Sequence, residues 1–328
     1  MTILITGGAG YIGSHVVRLL RGRGDDVVVV DDLSSGSAER IGDTPFVALD
    51  LAADGATESL ETVIRGYDVD AVIHFAAFKQ VAESVAHPTR YFDCNVGGLT
   101  NVLAAVERTG VGRLVFSSSA AVYGEPDVPV VTEDVACTPI NPYGQTKLVG
   151  EWMTRNAAAA TGLRIANLRY FNVAGTGWDD LRDRGAANLI PLVIDAVLDG
   201  RAPLVFGDTH RTADGSCVRD YVHVLDLAAA HLAALDHLRD DVRPFSEFNI
   251  GTGQGSSVFE VIRAVERAAG RQVPVEVVGP RAGDPASVVA EVARANATLG
   301  WHASLGLDDI VRSAWEAARH ARSALQPA

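Results

Sequence analysis

An α/β fold built on a doubly wound parallel sheet, with a smaller C-terminal α/β unit after it, is predicted by three features of the chain. Short apolar runs alternate with helical segments through the first half, a glycine-rich turn directly follows the first run, and the rhythm changes after about Asn172. Ile3 to Ile5, Val27 to Val30, Val69 to Phe75, Leu114 to Ser117 and Ile165 to Tyr170 are runs rather than alternations, as strands buried on both faces require. Between them, Ile12 to Arg23 sets Ile12, Val16, Leu19 and Leu20 on one helical face and stops at Gly24. Tyr91 to Thr109 does the same with Val96, Leu99, Val102, Leu103 and Val106, and stops at Gly110. Repeated crossovers of this kind are right-handed and lay the strands parallel.

Beyond Asn172, Gly175 to Gly185 is rich in Gly, Asp and Arg without periodicity, which predicts an exposed loop where the second unit begins. A helix from Leu189 to Leu198 follows, with Pro191 tolerated in its first turn. Next come a strand at Leu204 to Phe206, a helix at Phe259 to Ala269, a strand at Val273 to Val278 and a last helix from near Leu307. The expected division is 1–172 for the first unit, with about 219–237 returning to it, and 173–328 for the second.

With 328 residues, 48% of them hydrophobic, the chain can bury a large core. Cys94, Cys137 and Cys217 are isolated and odd in number, which fits packing thiols in a reducing compartment and neither a disulfide framework nor a metal site. A formal net charge of −13 disfavours nucleic acid as a partner, so a small anionic ligand would need particular arginines. Met1 and Thr2 run straight into Ile3-Leu4-Ile5 without a signal peptide, and no run approaches the roughly 18 apolar residues of a membrane span. The expectation is a cytoplasmic protein with no membrane partner and no metal. His74 and His223, set in apolar strands, are expected to be hydrogen-bonded core residues.

Gly7, Gly10 and Gly13 follow a strand and open a helix, so the backbone can turn tightly and present helix N-terminal amides to a pyrophosphate. Asp31 ends the second strand, near the spacing of roughly 20 residues at which a carboxylate accepts hydrogen bonds from an adenosine ribose. It would repel a 2′-phosphate, which favours NAD over NADP and makes the first unit a Rossmann-type NAD-binding domain. Tyr143 and Lys147 are neighbours on one helix face, and Ser119 ends an apolar strand at the ligand-binding edge of such a sheet. A phenol acting as a base near neutrality must fall by roughly 3 units from about 10, which a lysine ammonium and a cationic nicotinamide could supply. Each of these residues alone is unremarkable on a helix or strand. Together with the glycine turn they point to acid/base chemistry on a hydroxyl coupled to hydride transfer.

The stretches Thr6-Gly-Gly-Ala-Gly-Tyr-Ile-Gly13, Ser119 and Tyr143-Gly-Gln-Thr-Lys147 resemble the extended short-chain dehydrogenase/reductases. Five more stretches narrow the resemblance, over nearly the whole chain, to the UDP-glucose 4-epimerase family. They are Val72-Ile-His-Phe-Ala-Ala-Phe-Lys79, Glu83-Ser-Val85, Ser117-Ser-Ser-Ala-Ala-Val-Tyr-Gly124, Arg169-Tyr-Phe-Asn172 and Val218-Arg-Asp-Tyr-Val-His-Val224. The resemblance implies NAD as cofactor, Tyr143 as base, Ser119 as its partner, and Lys147 as the cation that lowers the phenol and holds the nicotinamide ribose. It implies NAD contacts from Tyr11, Ile12, Asp31, Asp50, Leu51, Phe75, Ala76, Lys79, Asn95, Ser117 and Phe171. It places Asn172, Asn188, Leu189, Leu204, Phe206, Arg219, Arg281 and Val288 on a UDP-sugar, with the two arginines on its diphosphate, and it implies a homodimer formed through the Tyr91 and Tyr143 helices.

The reaction so implied interconverts UDP-galactose and UDP-glucose through a transient 4-keto sugar. Val288 stands where some members of the family carry a bulky Tyr, which opens the pocket towards UDP-N-acetylglucosamine, and Asp32 stands where Asn is common. Other NAD-dependent nucleotide-sugar epimerases, dehydratases and decarboxylases begin with the same oxidation. Dehydration needs an acidic pair beside the serine, where this chain has Ala120-Ala121. A non-catalytic NAD-binding regulator would have little reason to keep Ser119, Tyr143 and Lys147 together.

Overall fold

The apolar runs form a seven-stranded parallel sheet: β1 (Thr2–Thr6), β2 (Asp26–Asp31), β3 (Phe46–Ala48), β4 (Ala71–His74), β5 (Arg113–Ser119), β6 (Arg164–Tyr170) and β7 (Phe245–Ile250), in the order β7-β6-β5-β4-β1-β2-β3. The computed structural model describes residues 1–185, 188–240, 243–281 and 285–325. Alternate residues of each strand face opposite layers, which is why the runs are apolar throughout. Ile3 and Ile5 pack with Val16 and Leu20 of the helix Tyr11–Arg23 and with Leu227 and Leu235 of the helix Val224–Asp240. Leu4 faces the other layer, with Leu60, Leu99, Val102 and Val106 from the helices Ala56–Gly66 and Gly98–Thr109.

The sequence expects one helix from Tyr91 to Thr109. The structure divides this stretch into Pro88–Phe92, a wide π-type turn at Asp93–Gly97, and Gly98–Thr109. Such turns insert a residue into the helical ladder and collect at functional sites. The return to the main sheet also differs from the expected 219–237. Val218–His223 pairs with Asn172–Ala174 and Gly255–Ser257 in a separate small sheet, while the helix Val224–Asp240 covers the main sheet and β7 extends its edge. Phe245 to Ile250 reads as a short mixed segment, and only its pairing with β6 makes it a strand.

The helices Leu189–Leu198, Val258–Ala269 and Leu307–Leu325 enclose a second core around Val193, Val261, Val265, Ile310 and Trp315. Ser257 and Glu260 form a reciprocal capping box at the start of the second of these. The segment 175–185, expected as an exposed loop, is clasped by the first helix. Tyr11 donates its hydroxyl to the Gly175 carbonyl (2.5 Å), His15 Nε2 accepts from Gly177 N (3.1 Å), and Arg18 pairs with Asp180. His74 and His223 are satisfied core residues, bonded to Thr6 and to Ser313 respectively. Among the described residues no helix is long and apolar enough to cross a membrane, and no cluster of metal-ligating side chains occurs.

Candidate active site

The strand order reverses between β1 and β4, and ligands bind such sheets at the carboxyl edge of that crevice. Gly7 turns there with φ +71°, so close to the end of β4 that a Cβ would lie 2.6 Å from Ala76 N. A Cβ on Gly13 would stand 2.3 Å from the Gly7 carbonyl oxygen, so the helix starts hard against the loop. Gly7, Gly10, Tyr11, Ile12 and Gly13 line a cleft that continues past Asp31, Asp50, Leu51, Phe75, Ala76 and Lys79 to Tyr143 and Lys147. Asp31 accepts Ala9 N (3.0 Å) and Leu33 N (2.8 Å), and each carboxylate oxygen retains a lone pair for a ligand. Burial raises the pKa of Asp31, and the two amide bonds oppose the rise. Asp32 lines the same end of the cleft. A glycine cradle that a methyl group would fill, a buried carboxylate and a buried lysine fit a dinucleotide.

Three residues expected on the cofactor are not among those that line the cleft. Asn95 is buried in the π-type turn, where it accepts from Phe78 N (2.8 Å) and donates to the Phe78 carbonyl (3.0 Å) and Thr146 Oγ1 (3.0 Å). It shapes the wall that carries Lys79 and does not itself line the cleft. Ser117 places its hydroxyl on His231 Nε2 (3.0 Å), while its carbonyl receives Lys147. Phe171 opens on the neighbouring cavity instead.

Tyr143 and Lys147 lie on the helix Pro142–Thr161, which Asn141 caps by accepting Gly144 N (2.9 Å) with Pro142 in the first turn. Lys147 is 3% exposed, and its ammonium donates to the Ser117 carbonyl (2.8 Å). Burial lowers its pKa to about 8, with Cys94 and Glu151 acting in the opposite direction. Burial raises the phenol of Tyr143, and a hydrogen bond with Ser119 opposes it. The lysine expected to lower this phenol is turned to the strand, with Nζ 6.0 Å from the Tyr143 ring centre. Protein groups alone therefore leave Tyr143 protonated, and further positive charge is required to ionise it.

Tyr143 also forms part of the wall of a second cavity, together with Ser119, Ala120, Ala121, Phe171, Asn172, Asn188, Arg219 and Val288. Tyr11, Ile12, Lys79 and Tyr170 line both spaces. Tyr170, within the Arg169 to Asn172 stretch, joins the site unexpectedly. So do Ile140 and Asn141, whose signal was the helix start. Leu189 packs into the second core, while Leu204 and Phe206 sit on a three-residue strand paired with Glu276–Val278. The Arg281 guanidinium stacks on Phe206 at 3.7 Å, and none of these four lines the cavity. Among the described residues lining this cavity none is acidic, and Lys79 and Arg219 supply positive charge.

A profile of the NAD dependent epimerase/dehydratase family matches residues 3–251. The UDP-glucose 4-epimerase of Azospirillum brasilense is 46% identical over 322 residues, covering 96% of this chain and 91% of that protein. That of Bacillus subtilis (strain 168) is 40% identical over 329 residues, covering 96% of each. Among solved structures, a UDP-glucose-4-epimerase from Stenotrophomonas maltophila with bound NAD and formylated UDP-arabinopyranose superposes with a TM-score of 0.93, at 42% identity and 99% of both chains. The UDP-Glc/GlcNAc 4-epimerase of Campylobacter jejuni superposes with a TM-score of 0.86, at 37% identity, over 97% of this chain and 99% of that one. The chain belongs to the NAD dependent epimerase/dehydratase family and aligns along nearly its whole length with the UDP-glucose 4-epimerases within it.

Proposed function

We propose that this chain interconverts UDP-galactose and UDP-glucose by oxidising and re-reducing one sugar carbon. The observation that carries the proposal is that Tyr143 is common to the dinucleotide cleft and the adjoining cavity, with Lys147 on the first side and Ser119 on the second. Tyr143 takes the proton of the sugar 4-hydroxyl and later returns it, and Ser119 donates a hydrogen bond to the reacting oxygen. Arg219 holds the diphosphate, leaving the 4-keto sugar free to present its other face. Bound NAD supplies the acceptor and donor of the C4 hydride and, when oxidised, the positive charge that the Tyr143 phenol needs to ionise. Gly7, Gly10, Gly13 and Asp31 hold its pyrophosphate and adenosine ribose. The absence of carboxylates among the described lining residues beside Ala120 and Ala121 favours epimerisation over dehydration. Product analysis after incubation with UDP-galactose tests the reading: UDP-glucose should form without net accumulation of NADH, and a dehydrated keto sugar would replace the proposal by a dehydratase.

Cofactor choice follows from the carboxylates. Asp31 and Asp32 both line the adenosine end of the cleft, so the purified protein should carry NAD and ignore added NADP. Extraction of NADP from it would refute the assignment of Asp31. For substrate breadth, Val288 ends the strand Ser287–Val288 beside Arg219 and gives the cavity a small wall. UDP-N-acetylglucosamine should therefore turn over as well, and Val288→Tyr should depress that activity far more than activity on UDP-galactose. Equal loss on both sugars would remove Val288 from the wall.

A further inference from the structure

Tyr143, Lys147 and Glu151 follow one another along a single face of their helix. Each meets the end of β5: Tyr143 with Ser119, Lys147 with the Ser117 carbonyl, and Glu151 with Ser118, whose hydroxyl donates to Oε1 at 2.5 Å. Glu151 is 2% exposed and is gripped by Arg169, from Nε to Oε1 (2.9 Å) and from Nη2 to Oε2 (2.7 Å). Arg169 stands directly across from Ser118 on β6. Its other contacts go to Glu247, to the Tyr123 hydroxyl and to the Glu133 carbonyl, so each of its N–H groups has an acceptor. The buried network therefore ties together the serine strand, the turn after Ser119, the tyrosine helix and the strand that leads to Tyr170 and Asn172. A carboxylate is costly to take out of water, and a well-packed apolar residue would hold the two elements together at least as well. What a fully bonded charge adds is register: a slip of the helix along β5 breaks several directional bonds together.

We propose that Glu151 is a positioning residue of the reaction, locked by Arg169 and bonded to Ser118 so that Tyr143 and Ser119 keep their mutual geometry. The proposal rests on the epimerase reading of that site. Glu151 also faces Lys147 electrostatically. The other groups against that ammonium are Tyr143 on the same helix, Cys94 from the π-type turn, His74 from β4, and the Ser117 carbonyl and Phe116 ring from β5. Glu151 helps to keep the ammonium charged, so neutralising it should discharge Lys147 at lower pH.

The test is Glu151→Gln in the full-length, NAD-loaded enzyme. Expected are a fall in kcat of roughly tenfold or more with KM for UDP-galactose within about twofold, as for a small displacement of reacting groups. The alkaline limb of the kcat profile should move down by about half a pH unit, and backbone amides of Ser119 to Ala121 should exchange faster. Ser118→Ala, which removes the bond but keeps the charge, should lower kcat with the alkaline limb unmoved. Wild-type kcat and pH profile in Glu151→Gln would overturn the proposal, as would lost activity with an unmoved limb. If Glu151→Gln does not fold, Ser118→Ala decides, and wild-type turnover and amide exchange in it would overturn the proposal. A wild-type protein inert towards UDP-galactose would sink the epimerase reading instead, and amide exchange in the two variants would still judge the positioning role.

Discussion

Tyr143→Phe is expected to abolish turnover of UDP-galactose while the purified variant retains its NAD. Only the phenolic oxygen is lost, and the ring, 7% exposed between the two cavities, continues to pack. The drop should be at least the ~10²–10⁴ typical of a general acid/base, because Tyr143 alone among the described residues lining both spaces lies one helical turn from Lys147 and beside Ser119; of the others, Tyr11 donates its hydroxyl to the Gly175 carbonyl. The Tyr170 phenol is pushed far up, first by burial and then by neighbouring Tyr143. Steady-state rates and extracted cofactor check both halves, and near-normal rates would remove Tyr143 from the role of base.

The second large effect is expected from Gly13→Ala, which should yield protein with little bound NAD. The added methyl would have to sit 2.3 Å from the Gly7 carbonyl oxygen, and neither the loop nor the helix start can retreat without moving the amides proposed to receive a pyrophosphate. Gly10→Ala meets the same oxygen at 3.2 Å and should be much milder. A loss of at least about tenfold in NAD affinity, equivalent to 1.4 kcal/mol, is expected for the first and less for the second. Equal affinities for wild type and Gly13→Ala, measured by titration of the stripped proteins, would mean that the loop relaxes at no cost.

Local chemistry was legible before the fold was seen. The glycine turn, the carboxylate at the end of β2 and the spacing of Tyr143 and Lys147 are each written within a few residues, and backbone geometry converts such spacings directly into shared faces. What escaped the sequence depends on distant pairing. Phe245 to Ile250 carries no strand signal that Glu247 and Asn249 do not weaken, and it becomes β7 because β6 offers an unpaired edge. Asn95 has the composition of a cofactor contact, but an extra residue in its helix turns it onto the Phe78 backbone. Glu151 and Arg169 read as an ordinary helix glutamate and strand arginine until the fold buries them against Ser118. Phe206 and Arg281 do come together, through a stacked guanidinium, without being among the residues that line the cavity.

The clasp between the first helix and the segment 175–185 joins the start of the dinucleotide cleft to chain that runs beside the second cavity. The helix that offers its N-terminal amides to a pyrophosphate holds, through Tyr11, His15 and Arg18, the chain that runs on to Asp183, which accepts from Asn188 Nδ2 (3.1 Å) on the substrate side. Were a bound dinucleotide to order that helix start, the effect would pass along this clasp towards the second cavity. Reciprocity requires the sugar nucleotide to tighten the dinucleotide by the same factor as the dinucleotide tightens it. A catalyst that must keep one redox equivalent through both halves of its cycle would gain from such coupling, since an occupied sugar site would then strengthen its hold on the cofactor.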